Sequence, residues 1–550
     1  MPVPEALQPY AGRWVALIQA EVAGVGATPE AARAAAQLAR PKETPRLEFV
    51  PEPFALALPE IVRRLGQALP APEQVWLVGG AVRDLLLGRR LHDLDFAVAG
   101  DGLAAARQAA KALDAAVFPL DAERGVGRVL LTTADGVLTL DFARLRGPDI
   151  FTDLASRDFT VNALALPLAA PDTLVDPLRG TADLRAKLIR ACSATAITDD
   201  PVRAVRAVRL AAQLGFRLEP ATRAAVKAAA LAAVSAERLR DELVRCLGGG
   251  RVEPAVRALE LTGLLSQMVP ELSALKGLHQ SPPHTLDGWE HTLAVLVRLA
   301  EILAVLGPVH DVDAASDLTL GLLTVRLGRY RAPLSAHLAA PFADDRPRRG
   351  LLMLAALLHD AAKPATRSQD PDGRIRFLGH EAAGARQAAA ILQRLHFSVD
   401  EVRYVQTAVA NHMRPRQLTQ AGEPSARAIY RFYRDTGPAG VDIVLLSLAD
   451  YLAKFGGTPP PQDEWAGHVA GCARLLEAYF ERRAEQVLPP ALITGDDLLQ
   501  TLALTPGPLV GKLLEAVREA QAAGEVTDRA AALDYARRLR SSPDALDPPG

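Results

Sequence analysis

The spacing of apolar residues changes character near residue 180. Before that point they fall in short runs: QVWLVGG (74–80), DLDFAVA (93–99), VGRVLLTT (126–133) and GVLTLDF (136–142). Short runs rich in β-branched and aromatic residues predict strands. Helical spacing fills 81–87 and 103–113, so residues 56–180 read as a small α/β or α+β domain. Residues 1–55, broken by RPKETPRLEFVPEP, predict a short helical appendage and a linker. After 181 alanine and leucine recur at helical spacing to about 540, interrupted by DGWEHT, PFADDRPRRG, PDGRIRF and GGTPPPQDEW. The last ten residues, SSPDALDPPG (541–550), predict a disordered tail.

Length and composition sharpen this picture. A chain of 550 residues exceeds a single core and should hold three or four units. No apolar run approaches the ~20 residues of a membrane helix. MPVPEALQPY lacks the basic and apolar regions of a signal peptide, and Cys192, Cys246 and Cys472 lie too far apart for a disulfide framework or a cysteine zinc site. The expectation is a soluble, cytoplasmic protein with no membrane partner. The net charge of −2 excludes a global polycation but leaves room for a local basic face.

The first candidate chemistry lies at 79–95, Gly-Gly-Ala-Val-Arg-Asp followed by Asp-Leu-Asp. A strand ending in Gly79-Gly80 and passing at once into a helix lets backbone approach a ligand closely and offers free N–H groups to phosphate. Arg83, one turn in, could grip a triphosphate oxygen. Asp93 and Asp95 stand at i and i+2 of a strand, on one face, and Asp141 in VLTLDF is a natural third carboxylate. Such a triad suits two Mg²⁺ ions and in-line nucleotidyl transfer.

These segments resemble the class II tRNA nucleotidyltransferases (CCA-adding enzymes) and the related bacterial poly(A) polymerases. The likeness rests on LVGGAVRDLLLG (77–88), HDLDFAV (92–98), DFARLRG (141–147), SRDFTVNALAL (156–166), DPLRGTADLRAKLIR (176–190) and DDPVRAVRAVRLAAQLGF (199–216). It implies a polymerase-β-like nucleotidyltransferase head over 56–180, then a mostly α-helical neck over 181–270. Gly79, Gly80 and Arg83 would hold the nucleoside triphosphate, Asp93 and Asp95 the metals, and Arg157 and Asp158 the ribose. Asp200 and Arg203 would read the incoming base, an Arg serving cytosine's acceptors and a carboxylate its amino group. Arg206 and Arg209 continue that spacing toward phosphate; a solvated face and, for Asp200, a helix N-cap are the plain structural alternatives.

The sequence departs from the family pattern at Ser156, where an Arg is usual, and at Asp199, where a Glu is usual. Only a short segment separates Asp141 from Arg157. CCA-adding members carry a longer loop there that helps switch the site from CTP to ATP, so the chain resembles the CC-adding branch. That branch implies the tRNA 3′ end and CTP as substrates and a separate A-adding enzyme acting afterwards. Full CCA addition, with ATP as well as CTP, or A addition alone are the alternatives. ERGVGRVLL (123–131) lacks the basic-aromatic signature of poly(A) polymerases, which disfavours that activity.

Nine of the eleven histidines fall between His279 and His412. His291, His359-Asp360, His380, His412 and Asp450 follow the order of the HD phosphohydrolases, and this resemblance implies an HD domain over 271–456 and a helical tail over 457–540. His291, His359, Asp360 and Asp450 would hold one ion and His380 and His412 a second, with Asp360 bridging. Mg²⁺ or a transition ion such as Mn²⁺, Ni²⁺ or Co²⁺ would serve, and Lys363 would meet a substrate phosphate. Trimming of phosphate or 2′,3′-cyclic phosphate from damaged RNA ends is the expected reaction. A nucleotide phosphohydrolase using the head only to bind RNA is the rival reading. His279, His284, His310, His337 and His396 fall outside the pattern, His284 being the nearest to an extra contact.

Overall fold

The structure is a computed structural model describing residues 5–50, 52–53, 58–91, 93–133, 136–308, 318–343, 346–420 and 422–541. His310 and residues 542–550 of the expected tail lie outside the described residues. The chain divides into two compact units, residues 1–234 and 235–550, a division that falls inside the 181–270 segment.

The first unit is built on a six-stranded sheet. Its order is Ala165–Pro167, Val75–Val78, Asp93–Val98, Gly136–Arg144, Val126–Thr133, Ala116–Asp121. Only Asp93–Val98 and Gly136–Arg144 run parallel. All four strand runs read from the sequence are present, and the helices are Gly80–Leu86 and Gly102–Leu113. Strand alternation is clear in Asp93–Val98, where Leu94 and Phe96 are buried and Asp93 and Asp95 are exposed. Phe96 stacks on Phe142 of the neighbouring strand at 4.6 Å between ring centroids, under the carboxylates.

Residues 1–55 correct the expectation of a helical appendage and linker. They contain an antiparallel sheet in the order Glu21–Gly26, Arg13–Ile18, Arg46–Val50, with the helix Pro29–Ala39 against it. Gly24 and Gly26 make that approach possible, since a Cβ on either would lie 2.4 Å from backbone atoms of the helix. Trp14, Ala16 and Phe49 share a core with Val78 and Ala97 of the large sheet and with Ile150 and Leu154 of the helix Ile150–Ala155. Each large apolar side chain fully withdrawn there contributes roughly 1.5–3 kcal/mol. The lobe is thus part of the head's core, not a linker.

The second unit is helical apart from two-stranded pairs. At its centre lies Ala439–Ala453, every residue of which is buried, packed along Gly288–Val305. Toward the C-terminus Gly495–Thr501, Pro508–Ala522 and Arg529–Arg540 close around their own apolar cluster, including Leu498, Leu513 and Val517. The segment before Pro508 thus serves an ordinary helix–helix turn. Among the described residues no helix is long and apolar enough to cross a membrane. None of Cys192, Cys246 and Cys472 forms a disulfide.

Candidate functional sites

In the first unit the strand register sets Asp95 directly beside Asp141 on parallel neighbours. Asp93, two residues earlier, shares the exposed face. Asp95 is open to solvent along the strand, yet the protein around it withdraws it from bulk water and Asp141 and Asp93 repel its charge, so its pKa is raised. Two arginines offset this crowding. Arg128 grips Asp141 with Nε and Nη2, both at 2.8 Å, and Arg157 lies near Asp95. Carboxylates crowded in this way are a donor set suited to hard divalent cations.

Gly79 takes φ 78, and a Cβ there would sit 3.0 Å from Arg157 Nη1 and 3.8 Å from Asp95 Oδ2. Glycine is therefore required both by conformation and by the approach of these two side chains. Arg83 is engaged: Nε and Nη2 reach Asp84 at 2.9 and 2.8 Å, and Nη1 reaches Asn162 Oδ1 at 2.7 Å. Asn162 in turn donates to Asp158 Oδ1 at 3.1 Å, and Arg206 Nη1 donates to Asp158 Oδ2 at 3.0 Å. Asp158 also accepts from the Phe159 N–H at 2.8 Å. Burial opposes its charge, but Arg206 and these hydrogen bonds outweigh it and its pKa is lowered. This chain of contacts joins the helix after Gly79 to the helix Val202–Leu214.

Arg203 ties the same helix to the site. Its guanidinium donates to the carbonyls of Ser156 at 3.1 Å, Ala196 at 3.3 Å and Arg157 at 3.4 Å, and its Nε lies 3.7 Å from Asp200. Pro201, not Asp200, occupies the helix N-cap position. Arg209 meets Gln213 Oε1 at 3.1 Å, one turn along its own helix. Asp153, buried, accepts from the Arg146 N–H at 3.1 Å and from Arg157 Nε at 3.0 Å, and so orients Arg157. Arg128, Asn162 and Asp153 are contacts the sequence reading missed. Arg128 had a signal: closing strands 126–133 and 136–142 as a hairpin pairs it with Asp141.

Because Asp158 is buried and carries its charge, Arg206→Met should destabilise the first unit by about 2 kcal/mol at neutral pH. A depressed carboxylate contributes stability above its unfolded pKa of about 3.9, and loses it as pH falls through the lower folded value. The difference between wild type and variant in urea unfolding should therefore shrink toward zero in that acid window. A difference independent of pH would show that the ion pair is not its source.

In the second unit the sequence-predicted ligands converge at helix ends. His291 lies in the first turn of Gly288–Val305; His359 and His412 cap the C-termini of Arg348–Leu358 and Val399–Asn411; His380 opens its helix after Gly379. Ligand atoms of His291, His359 and Asp360, and of Asp360, His380 and His412, gather within 4.8 Å of one another. Among the described residues the three head carboxylates do not form so tight a group. Asp360 is common to both: Oδ2 lies 3.1 Å from His359 Nε2 and 3.6 Å from His291 Nε2, and Oδ1 lies 3.4 Å from His380 Nε2. Asp450 Oδ1 is held by His291 Nε2 at 3.0 Å.

The ring orientations fit metal ligation. His359, His380 and His412 each donate Nδ1–H to the carbonyl three residues back, Ala356, Phe377 and Val409, at 2.8, 2.7 and 2.8 Å. In the neutral ring that bond fixes the tautomer with the Nε2 lone pair directed inward. The Nε2 atoms of His359 and His380 are buried without a hydrogen-bond partner. Buried acceptors left unpaired this way are costly unless a ligand satisfies them. Burial pushes His412 down to about 3 and also lowers His291, so both stay neutral and able to coordinate. Asp360 stays ionised well below the usual range: burial opposes it, but His359 and Lys363 outweigh burial.

A cleft of about 240 Å³ opens onto this cluster. Lys363 Nζ stands 2.6 Å from Asp360 Oδ2 and donates to Gln280 Oε1 at 2.7 Å. Lys454 Nζ lies 3.3 Å from Asp450 Oδ2, and Arg374 and Arg376 line the mouth. His284 also lines the cleft, with its pKa brought down to about 3 by burial and by Lys363. Of the other histidines set aside, His337 pairs with Asp442 at 3.0 Å, His396 pairs with Glu237 at 2.6 Å, and His279 is exposed.

Family profiles match for the poly A polymerase head domain over residues 75–190, the probable RNA and SrmB- binding site of polymerase A over 215–276, and the HD domain over 288–454. The chain is 37% identical over 472 residues to an A-adding tRNA nucleotidyltransferase of Deinococcus radiodurans, covering 84% of this chain and 95% of that one. It is 36% identical over 464 residues to a CC-adding tRNA nucleotidyltransferase of Thermus thermophilus, covering 83% and 91%. A second CC-adding relative, from Geobacter sulfurreducens, is 32% identical over 503 residues, covering 91% and 99%. Among solved structures, a CCA-adding enzyme in an apo form aligns with a TM-score of 0.51 at 19% identity, over 88% of this chain and 94% of that one, a likeness of fold.

Proposed function

The chain belongs to the class II tRNA nucleotidyltransferases bearing an HD domain, and from that premise we propose that it adds two cytidines to the tRNA 3′ end and clears phosphate from damaged ends at its HD site. The tightness of the segment between Asp141 and Arg157 carries the CC reading. The strand bearing Asp141 ends at Arg144, residues 145–149 turn, and the helix Ile150–Ala155 follows at once. Ile150 and Leu154 are buried in the head's core, so this segment is anchored where a longer one could swing. A site without that freedom keeps one base-reading geometry.

Asp93 and Asp95 would hold divalent cations in the head, and His291, His359, Asp360, His380, His412 and Asp450 would hold them in the HD cleft. Bound there, such ions supply Lewis acidity toward phosphoryl oxygens in both centres. Asp141, freed from Arg128, would accept the proton of the primer's 3′-hydroxyl. Gly79 and Gly80 let the triphosphate approach backbone N–H groups, and Arg83 contributes positive charge beside them. Asp158 and Arg157 line the ribose position, and Asp200 and Arg203 face the base, with Arg206 and Arg209 along the same helix. In the HD cleft Lys363 meets the substrate phosphate.

The similarity to an A-adding enzyme supports a second reading, addition of the final A alone. One assay separates the two. A tRNA transcript ending at the discriminator base, with Mg²⁺ and CTP or ATP separately and together, should gain two cytidines and no adenosine at single-nucleotide resolution. Extension only of a tRNA already ending in CC, and only with ATP, would replace the CC reading with the second one.

A further inference from the structure

The first unit contains a second cationic site, away from the carboxylates. A cleft of about 440 Å³ lies between the N-terminal lobe and the helix Gly180–Ala186, lined by Arg13, Arg179, Arg185 and Thr181. The head-domain profile begins at residue 75, so the wall carrying Arg13 lies outside it. All three arginines are exposed, and among the described residues none has a side-chain hydrogen bond or ion pair. The one carboxylate in the cleft, Asp176, is engaged: it accepts from the N–H groups of Gly180 and Thr181 at 2.6 and 2.9 Å and from Thr181 Oγ1 at 2.6 Å. The cleft thus gathers three arginines around one carboxylate whose oxygens are already taken up by hydrogen bonds.

Arg179 adds a further observation. Its backbone is left-handed, φ 59, a conformation that disfavours a side chain. Its neighbour Gly180 cannot carry one, because a Cβ there would lie 2.1 Å from the Thr160 carbonyl. An arginine standing at a position glycine would fit more easily, and aimed into a cleft with two others, calls for a ligand.

We infer that this cleft binds successive phosphates of the tRNA backbone and positions the substrate without reading its sequence. The inference rests on tRNA as the substrate. Forked guanidinium groups suit phosphate oxygens, and three exposed arginines from two separate chain segments, Arg13 on one and Arg179 and Arg185 on the other, suit successive phosphates of one strand.

The test is a triple variant, Arg13→Gln, Arg179→Gly and Arg185→Gln, in the full chain. Its affinity for tRNA should fall about tenfold or more at moderate salt, and the plot of log affinity against log salt should become shallower by about 2. KM for tRNA should rise while KM for CTP and kcat at saturating tRNA hold. Replacing all three by lysine should restore most of the affinity. Arg179→Gly alone should weaken tRNA binding with a melting temperature no lower than wild type, a combination that a purely structural role would not produce. Should the triple variant fold poorly, Arg185→Gln, on an exposed helix position, gives the same reading at smaller size. Wild-type extension of tRNA together with unchanged variant affinity and salt slope would overturn the inference alone. Wild-type protein that neither binds nor extends tRNA would overturn the substrate assignment as well. Loss of inorganic triphosphate binding with tRNA binding intact would reassign the cleft to a small polyphosphate and overturn the inference.

Discussion

Asp95→Asn should reduce CTP incorporation into tRNA by about 10³-fold or more while leaving the protein at least as stable as wild type. The two halves of this expectation come from the same geometry. Asp95 faces Asp141 across parallel strands, with Asp93 two residues away on the same face, and withdrawal from bulk water together with repulsion from these neighbours raises its pKa. Neutralising it removes a like charge, so the melting temperature should hold or rise. The same change removes a ligand for the divalent cations, so the transfer should stop. Asp141→Asn is a poorer probe, because it strips Arg128 of a two-pronged partner and mixes a stability effect into the activity. The measurement is extension at single-nucleotide resolution beside a thermal melt. Retained extension by Asp95→Asn would remove the carboxylate from the reaction; lost extension with a collapsed melt would leave only unfolding.

That expectation could be framed from sequence because the relevant information is local. The alternation in DLDFAV decides which residues face out, and the strand lengths place Asp141 opposite Asp95. The His/Asp cluster of the second unit was legible for a different reason: rare residue types in a fixed order, most of them at helix ends, need no knowledge of helix packing to be recognised. The N-terminal lobe was not legible. EVAGVG lacks the bulky alternation of a strand, and its role depends on Gly24 and Gly26 admitting a helix from the same lobe. Its buried face is completed by Val78, Ala97 and Leu154, far away in sequence. The network Arg83–Asn162–Asp158–Arg206 was half legible. Its members stand in the resembling motifs, but their partners are set by how a 3₁₀ turn, Thr160–Asn162, packs between two helices. The three unpaired arginines of the second cleft fall outside any motif, since being unpaired is a property of the surroundings.

Asp360→Asn should slow hydrolysis of a terminal 2′,3′-cyclic phosphate on tRNA, in which one water opens the ring to a monoester and a second frees inorganic phosphate, by about 10²-fold or more, and leave CTP addition to a free 3′-hydroxyl intact. Asp360 is the one carboxylate shared by both groups of converging ligands. Its two oxygens point to different histidines, Oδ1 to His380 and Oδ2 to His359 and His291. An amide keeps the shape but carries no charge, and its NH₂ end would oppose a cation. Bound metal, measured on the purified protein, should fall with the activity. Asp360 also faces Lys363, itself buried, so the variant leaves that ammonium with Gln280 as its remaining close partner and should be destabilised by about 3 kcal/mol. Lys363→Met in the same background should recover part of that stability without restoring metal or activity, which separates the structural effect from the chemical one. Equal processing of the cyclic-phosphate end by wild type and Asp360→Asn would sink the trimming reaction. Parallel loss of CTP addition on a free 3′-hydroxyl would show that the two activities are not separable in this chain.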